Sequence, residues 1–153
     1  MPIVCKTPMA QINAQLERYQ EGALENAVYL LHMIGEAAVK RARELTVVEG
    51  SFHDITGNLR SSIGYTILVD GKERETSDFA VISGSKGRGT QGADAGQAVL
   101  NKLKSKYGKG VVLIVCAGMK YAAYVENVHG KRVLVDAKLK AEQLADKLFR
   151  KRK

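Results

Sequence analysis

Several groupings in this chain have the residue types that chemistry requires. Gly87, Gly89 and Gly92 satisfy a GxGxxG spacing and lie between an apolar stretch and a helical pattern, where a dinucleotide-binding turn would sit. That use also needs an acidic residue about 20 positions on, at the end of the next strand, to hold a ribose. Here that strand ends Val115-Cys116-Ala117, and no GK[ST] follows the glycines to make a phosphate loop, so no cofactor is expected. His53-Asp54 and the pair Ser61-Ser62 hold the residue types of a hydrolytic triad. A triad is made by geometry rather than by adjacency, and the chain has no GxSxG elbow. Asp54 and Glu126 supply two carboxylates for glycoside cleavage, in a chain with no Trp to line a sugar groove. His32, His53 and His129 lack the i, i+4 or CxxC companions of a metal site, so none is expected. Cys5 and Cys116 are far apart with no CxxC, which indicates neither a disulfide framework nor zinc; Cys116 closes an apolar strand and reads as packed. No catalytic residues are therefore assigned, and the chain is read as no enzyme.

The elements that position these residues follow from periodicity. Ile12, Leu16, Tyr19, Ala23, Ala27, Leu30, Ile34, Ala38, Ala42 and Leu45 recur every three or four residues, which predicts a helix from about Met9 to Leu45. Gly22 and Gly35 are places for a bend, and a helix of this length exceeds the domain it packs on, so part of it is expected to meet another subunit. Residues 65–70 alternate and lead to Asp70-Gly71, a hairpin turn pair; Phe79 to Ser83 reads as the returning strand. Residues 83–96 carry five glycines in fourteen residues, and Gly84 to Gly96 is expected to be a flexible basic loop, disordered in the free subunit and ordered on assembly. A helix resumes near Asp94 and ends at Tyr107-Gly108. Val111 to Cys116 is apolar throughout, as for a central strand covered on both faces, and Lys131 to Val135 reads as a weak further strand. Asp136 caps a helix from Ala137 to about Arg150. The fold class is α+β: a small, mainly antiparallel sheet packed against a long N-terminal and a C-terminal helix, in a single domain over residues 1–153 with a basic tail at about 149–153.

Two stretches stand out. In DITGNLRSSI, residues 54–63, Thr56 is placed to cap a short helix; Ile55, Leu59 and Ile63 then share one face while Asn58, Arg60 and the two serines point away. In AGMKYAAYVEN, residues 117–127, two tyrosines precede Glu126. Together these resemble the two signatures of the head-tail joining, or tail-completion, proteins of long-tailed double-stranded DNA bacteriophages. Asp54, Thr56, Gly57, Leu59, Arg60, Ser62 and Ile63 match the first, with Ile55 inserted and Phe52-His53 where a proline is usual. Tyr121, Ala122, Tyr124, Val125 and Glu126 match the second, at the end of a strand, with Asn127 where a glycine is usual. The resemblance implies a non-catalytic virion structural protein, made in the bacterial cytoplasm, that forms a homo-oligomeric ring at the head-tail junction between a portal-side connector and tail proteins. A salt bridge between Arg60 and Glu126 is expected to tie the two stretches together.

Composition bounds these readings. At 153 residues, 45% hydrophobic and 26% charged, the chain has the make-up of a globular domain, and no apolar run or leader suggests a membrane or secreted fate. The net charge of +8 is concentrated: residues 84–110 hold six Lys or Arg against one Asp, and residues 136–153 hold seven against three acids. Lys86, Arg88, Lys102, Lys104, Lys106, Arg150, Lys151, Arg152 and Lys153 are thus candidate contacts to DNA phosphates or to an acidic partner, with solvated loops as the plain alternative. A small basic nucleic-acid-binding protein is the competing function, although no helix-turn-helix, zinc-finger or RNA-binding signature is present.

Overall fold

The computed structural model of the chain describes residues 7–150. The 3.6-residue periodicity produces α1, Met9–Glu44, a continuous helix of 36 residues with no break at Gly22 or Gly35. Gly35 is where the helix lies closest to the sheet: a Cβ there would stand 2.7 Å from the Tyr65 ring. A short helix α2, Asn58–Ser61, leads directly into β1, Ile63–Val69. The turn at Asp70-Gly71 has positive φ at both residues (50° and 76°), the geometry that matches the twist of a two-residue hairpin. It returns the chain as β2, Lys72–Thr76. Next come α3, Thr90–Lys104, β3, Val111–Ala117, the short helix α4, Ala122–Asn127, and α5, Val135–Arg150.

The sheet is antiparallel, in the order β2-β1-β3. All seven residues of β1 are buried, because the strand is covered on both faces. Ile63, Tyr65 and Ile67 pack under Ala38, Val39 and Ala42 of α1 and Ala137 of α5, with Leu113 and Val115 of β3 beside them. The opposite face is closed by α3, whose Leu100 is fully buried and whose Gly96 meets the Phe79 ring and the Ser62 carbonyl. Polar groups tie α1 to this sheet. His32 Nδ1 lies 2.7 Å from the Tyr65 hydroxyl and 2.9 Å from Glu75, while Arg43 donates to the Ile63 and Asp78 carbonyls.

The architecture is the expected α+β, and four details differ from the sequence reading. The returning strand is the polar run Lys72–Thr76 rather than Phe79 to Ser83, since an edge strand needs only backbone pairing and its Lys and Glu side chains reach water. The central strand is β1; β3, for all its apolar residues, lies at the edge. Residues 131–135 form no strand, because the chain there turns into α5. The helix expected from about Asp94 starts at Thr90, so the second half of the glycine-rich segment is helical. Of the described residues, no helix is long and apolar enough to cross a membrane.

Candidate functional site

The two singled-out stretches meet beside the end of β3. Leu59 of α2 packs with Phe52, Val133 and Ala122, and Val125 and Met119 close the cluster. Around it lies a cleft of about 190 Å³ lined by residues of both stretches, among them Asp54, Thr56, Tyr121 and Val125. The Tyr121 phenol is pushed up by burial and by the nearby Asp54 carboxylate, an effect opposed by its hydrogen bond with the Thr56 side chain.

Within the first stretch, two side chains serve the first turn of α2: Thr56 Oγ1 accepts the Asn58 N–H at 3.4 Å, the bond expected of it, and Asp54 Oδ2 accepts the Arg60 N–H at the shorter 2.7 Å. Because α2 spans only four residues, Ile55 lies outside it and is 52% exposed instead of sharing a face with Leu59 and Ile63. Ser61 and Ser62, expected to point outward, are fully buried. Ser61 Oγ accepts the Ile82 N–H at 2.8 Å and donates to the Ile82 carbonyl, which pins the 77–89 segment; Ser62 Oγ donates to the Leu59 carbonyl at 2.7 Å. Both hydroxyls serve backbone groups, so the serine pair beside His53-Asp54 is not arranged as a nucleophile.

Arg60 and Glu126 are not paired. The Arg60 guanidinium donates to the Leu45 carbonyl at 3.0 Å and lies over the Phe52 ring, its carbon 5.6 Å from the centroid. Glu126 sits in α4, a short helix rather than a strand end, and its Oε1 accepts the N–H groups of Val133, Leu134 and Val135 at 3.2, 2.9 and 2.9 Å. Those are unsatisfied donors where α5 begins, so Glu126 is a carboxylate cap supplied from seven to nine residues upstream. Nothing local in the sequence marks that role. Asp136, expected as the cap, lies inside the first turn and pairs with Arg41 at 3.3 Å and Arg132 at 3.4 Å. Tyr124 is exposed and meets His129 edge-on.

The GxGxxG glycines are used for close packing. A methyl on Gly92 would overlap the Asn58 carbonyl oxygen, and one on Gly87 would come within 2.8 Å of the Thr56 carbonyl. Asn58 Oδ1 also accepts the Gly92 N–H, at 3.2 Å. The glycine-rich segment thus lies flat on the 54–61 stretch, its Lys86 N–H donating to the Ile55 carbonyl at 2.8 Å. Burial pushes the Cys116 thiol up to about 11, which keeps it a packed group; Cys5 lies outside the described residues. Among the described residues, no group of three or more His, Cys, Asp or Glu side chains is placed to hold a metal ion.

The basic candidates divide. Lys86 and Arg88 are exposed just before α3 and Lys102 and Lys106 are exposed at its other end, so the 15-residue helix, about 22 Å long, separates two patches. Lys104 is engaged with Glu73 across the sheet edge. Arg150 pairs with Asp146 at 3.3 Å, and Lys151, Arg152 and Lys153 lie outside the described residues. Comparison with protein-family models, with curated proteins and with solved structures finds no match for this chain.

Proposed function

We propose that this chain is a non-catalytic structural protein of a bacteriophage virion that closes a homo-oligomeric ring at the head-tail junction, contacting a portal-side connector and tail proteins. The observation that carries the assembly part is the projection of α1. From Met9 to Ala23 every residue except Ile12 is exposed, and Met9, Leu16 and Tyr19 are 68%, 54% and 78% exposed. Those 15 residues run about 22 Å past the point where the helix meets the sheet. An unsupported helical stretch with an apolar stripe is marginal in water, so a neighbour that buries it supplies the missing stability. The resemblance of residues 54–63 and 121–126 to the joining-protein signatures supplies the place. In that setting the packing of Ala38, Val39 and Ala42 of α1 on Ile63, Tyr65 and Ile67 is what holds the projecting helix on the sheet.

The exposed Lys and Arg at both ends of α3 favour a second reading, a small basic nucleic-acid-binding protein. Two measurements separate them. The joining reading expects sedimentation to show self-association, alone at high concentration or with the connector present, that Leu16→Glu with Tyr19→Glu abolishes. A DNA titration then expects weak, sequence-blind binding at most. A monomer under every condition that binds DNA tightly with a steep salt dependence would establish the second reading instead.

A further inference from the structure

The two edges of the sheet are built differently. The β2 edge, KERET, carries charged residues at its first four positions, as edges that must not pair usually do. The β3 edge, VVLIVCA, carries none. The hydrogen bonds from Asp70 N to Gly110 O and from Gly118 N to Ser62 O fix the register. The backbone groups of Val112, Ile114 and Cys116 face β1, and the backbone N–H and C=O groups of Leu113 and Val115 point outward. Among the described residues nothing accepts from or donates to those outward groups. Beside them lies a cleft of about 420 Å³, because α5 packs along α1 and leaves a gap against β3; Leu113, Val115, Leu134, Val135, Ala137 and Ala141 give it apolar walls. An open strand edge beside an apolar trough is the template for an added strand, with backbone bonds giving affinity and the trough taking alternate side chains.

We propose that this trough is filled by residues 2–6 of a second copy of the chain, Pro2-Ile3-Val4-Cys5-Lys6, added to β3 as a fourth strand. The segment combines β-branched residues with a proline at the first position, where a strand tolerates the missing N–H. Its delivery is intermolecular by geometry. Only Thr7 and Pro8 separate it from Met9, and the three steps from Lys6 to Met9 span at most roughly 10 Å. Met9 lies at the tip of the projecting part of α1, about 22 Å from the point where that helix reaches Arg74 and Glu75 of β2, with the width of the sheet still to cross to β3. The same projection that carries the arm away from its own trough presents it to a neighbour's. This head-to-tail exchange goes beyond the assembly reading and needs no phage: it requires only two copies of this chain.

The test uses the full chain with a thiol placed on the trough rim by Lys138→Cys, at an exposed position whose substitution spares the fold. Mild oxidation at high protein concentration is expected to give dimers and larger species in which Cys5 of one chain is linked to the introduced thiol of another, identified by peptide mass. Adding Cys5→Ser is expected to abolish them. Glu142→Cys, one turn further along the same rim, is expected to repeat the result. Three outcomes would overturn the exchange by itself, and a fourth would overturn it together with self-association. The first is linkage within one chain. The second is linkage between two introduced thiols that persists in the Cys5→Ser background and so marks two β3 edges or two α5 helices meeting. The third is no link in a sample that sedimentation shows to be associated. If the sample is monomeric and unlinked at every concentration, the exchange fails together with self-association through α1. An associated but unlinked sample overturns the exchange alone.

Discussion

Replacing Glu126 with alanine removes the carboxylate that accepts three consecutive N–H groups at the start of α5. A hydrogen bond to a charged group contributes about 1.5–3 kcal/mol, but three donors share one oxygen here and the site is half-exposed, so water recovers part of the loss. Loss of an ordinary N-cap side chain costs about 0.5–2 kcal/mol. The expected cost of Glu126→Ala is therefore about 2–3 kcal/mol, and of Glu126→Gln, which keeps an acceptor without the charge, about 1 kcal/mol. In a chain of this size that lowers Tm by roughly 5–10 °C for the alanine variant. Urea unfolding followed by circular dichroism measures it. Arg60→Ala, made in parallel, should be additive with Glu126→Ala to within about 0.5 kcal/mol, since the two side chains make separate contacts. A cost below about 0.5 kcal/mol for Glu126→Ala would refute the capping role. A coupling above about 1 kcal/mol would restore the salt bridge that the structure replaces.

Further expectations concern the glycines, the acid limb of stability and the buried thiol. Gly92→Ala should cost about 3 kcal/mol, because the methyl would meet backbone that cannot move aside, whereas Gly22→Ala, with nothing within 4 Å, should stabilise by about 0.5–1 kcal/mol; thermal melts of both variants check the contrast. Glu49 is held down to about 2 by its hydrogen bonds with the Thr46 backbone and hydroxyl and by Arg41. A carboxyl depressed on folding contributes stability above its unfolded pKa near 4.5 that is lost as pH falls toward 2, so Glu49→Gln should flatten the Tm profile in that window, and an unchanged profile would reject the linkage. In a Cys5→Ser background, Cys116 should show no reaction with a thiol reagent at about pH 8 until denaturant is added; fast reaction in the native protein would mean that the interior opens readily.

The parts of this fold set by local pattern are legible in the sequence, and the parts set by distant partners are not. The length of α1 follows from apolar residues every three or four positions, and the hairpin follows from Asp70-Gly71, because both depend on neighbours along the chain. The strand KERET is hidden because pairing with β1 stabilises it and its side chains need no burial. Val111–Ala117 reads as central because an apolar run reports covered faces and says nothing about whether its edge is paired. Ser61 is buried through a bond to Ile82, 21 residues away, a separation that no window around the motif contains. Glycine is the most ambiguous letter: the residues that suggest a flexible loop at 84–96 are those that let two backbones touch at Gly87 and Gly92. At the candidate site the sequence brings the right two stretches together but names the wrong link between them. Leu59 and Ala122 make the contact by packing together, and Arg60 and Glu126 each serve a different turn of chain.

The central claim is that this chain joins rather than catalyses, and that α1 carries the joining surface. It is tested most directly in particles from a phage or prophage whose copy of this gene is deleted, complemented with either the native chain or the Leu16→Glu, Tyr19→Glu variant. Electron microscopy should show filled heads and free tails without complementation, joined particles with the native chain, and unjoined heads and tails again with the variant, although the variant remains folded. Normally joined particles in the absence of the gene would contradict the account.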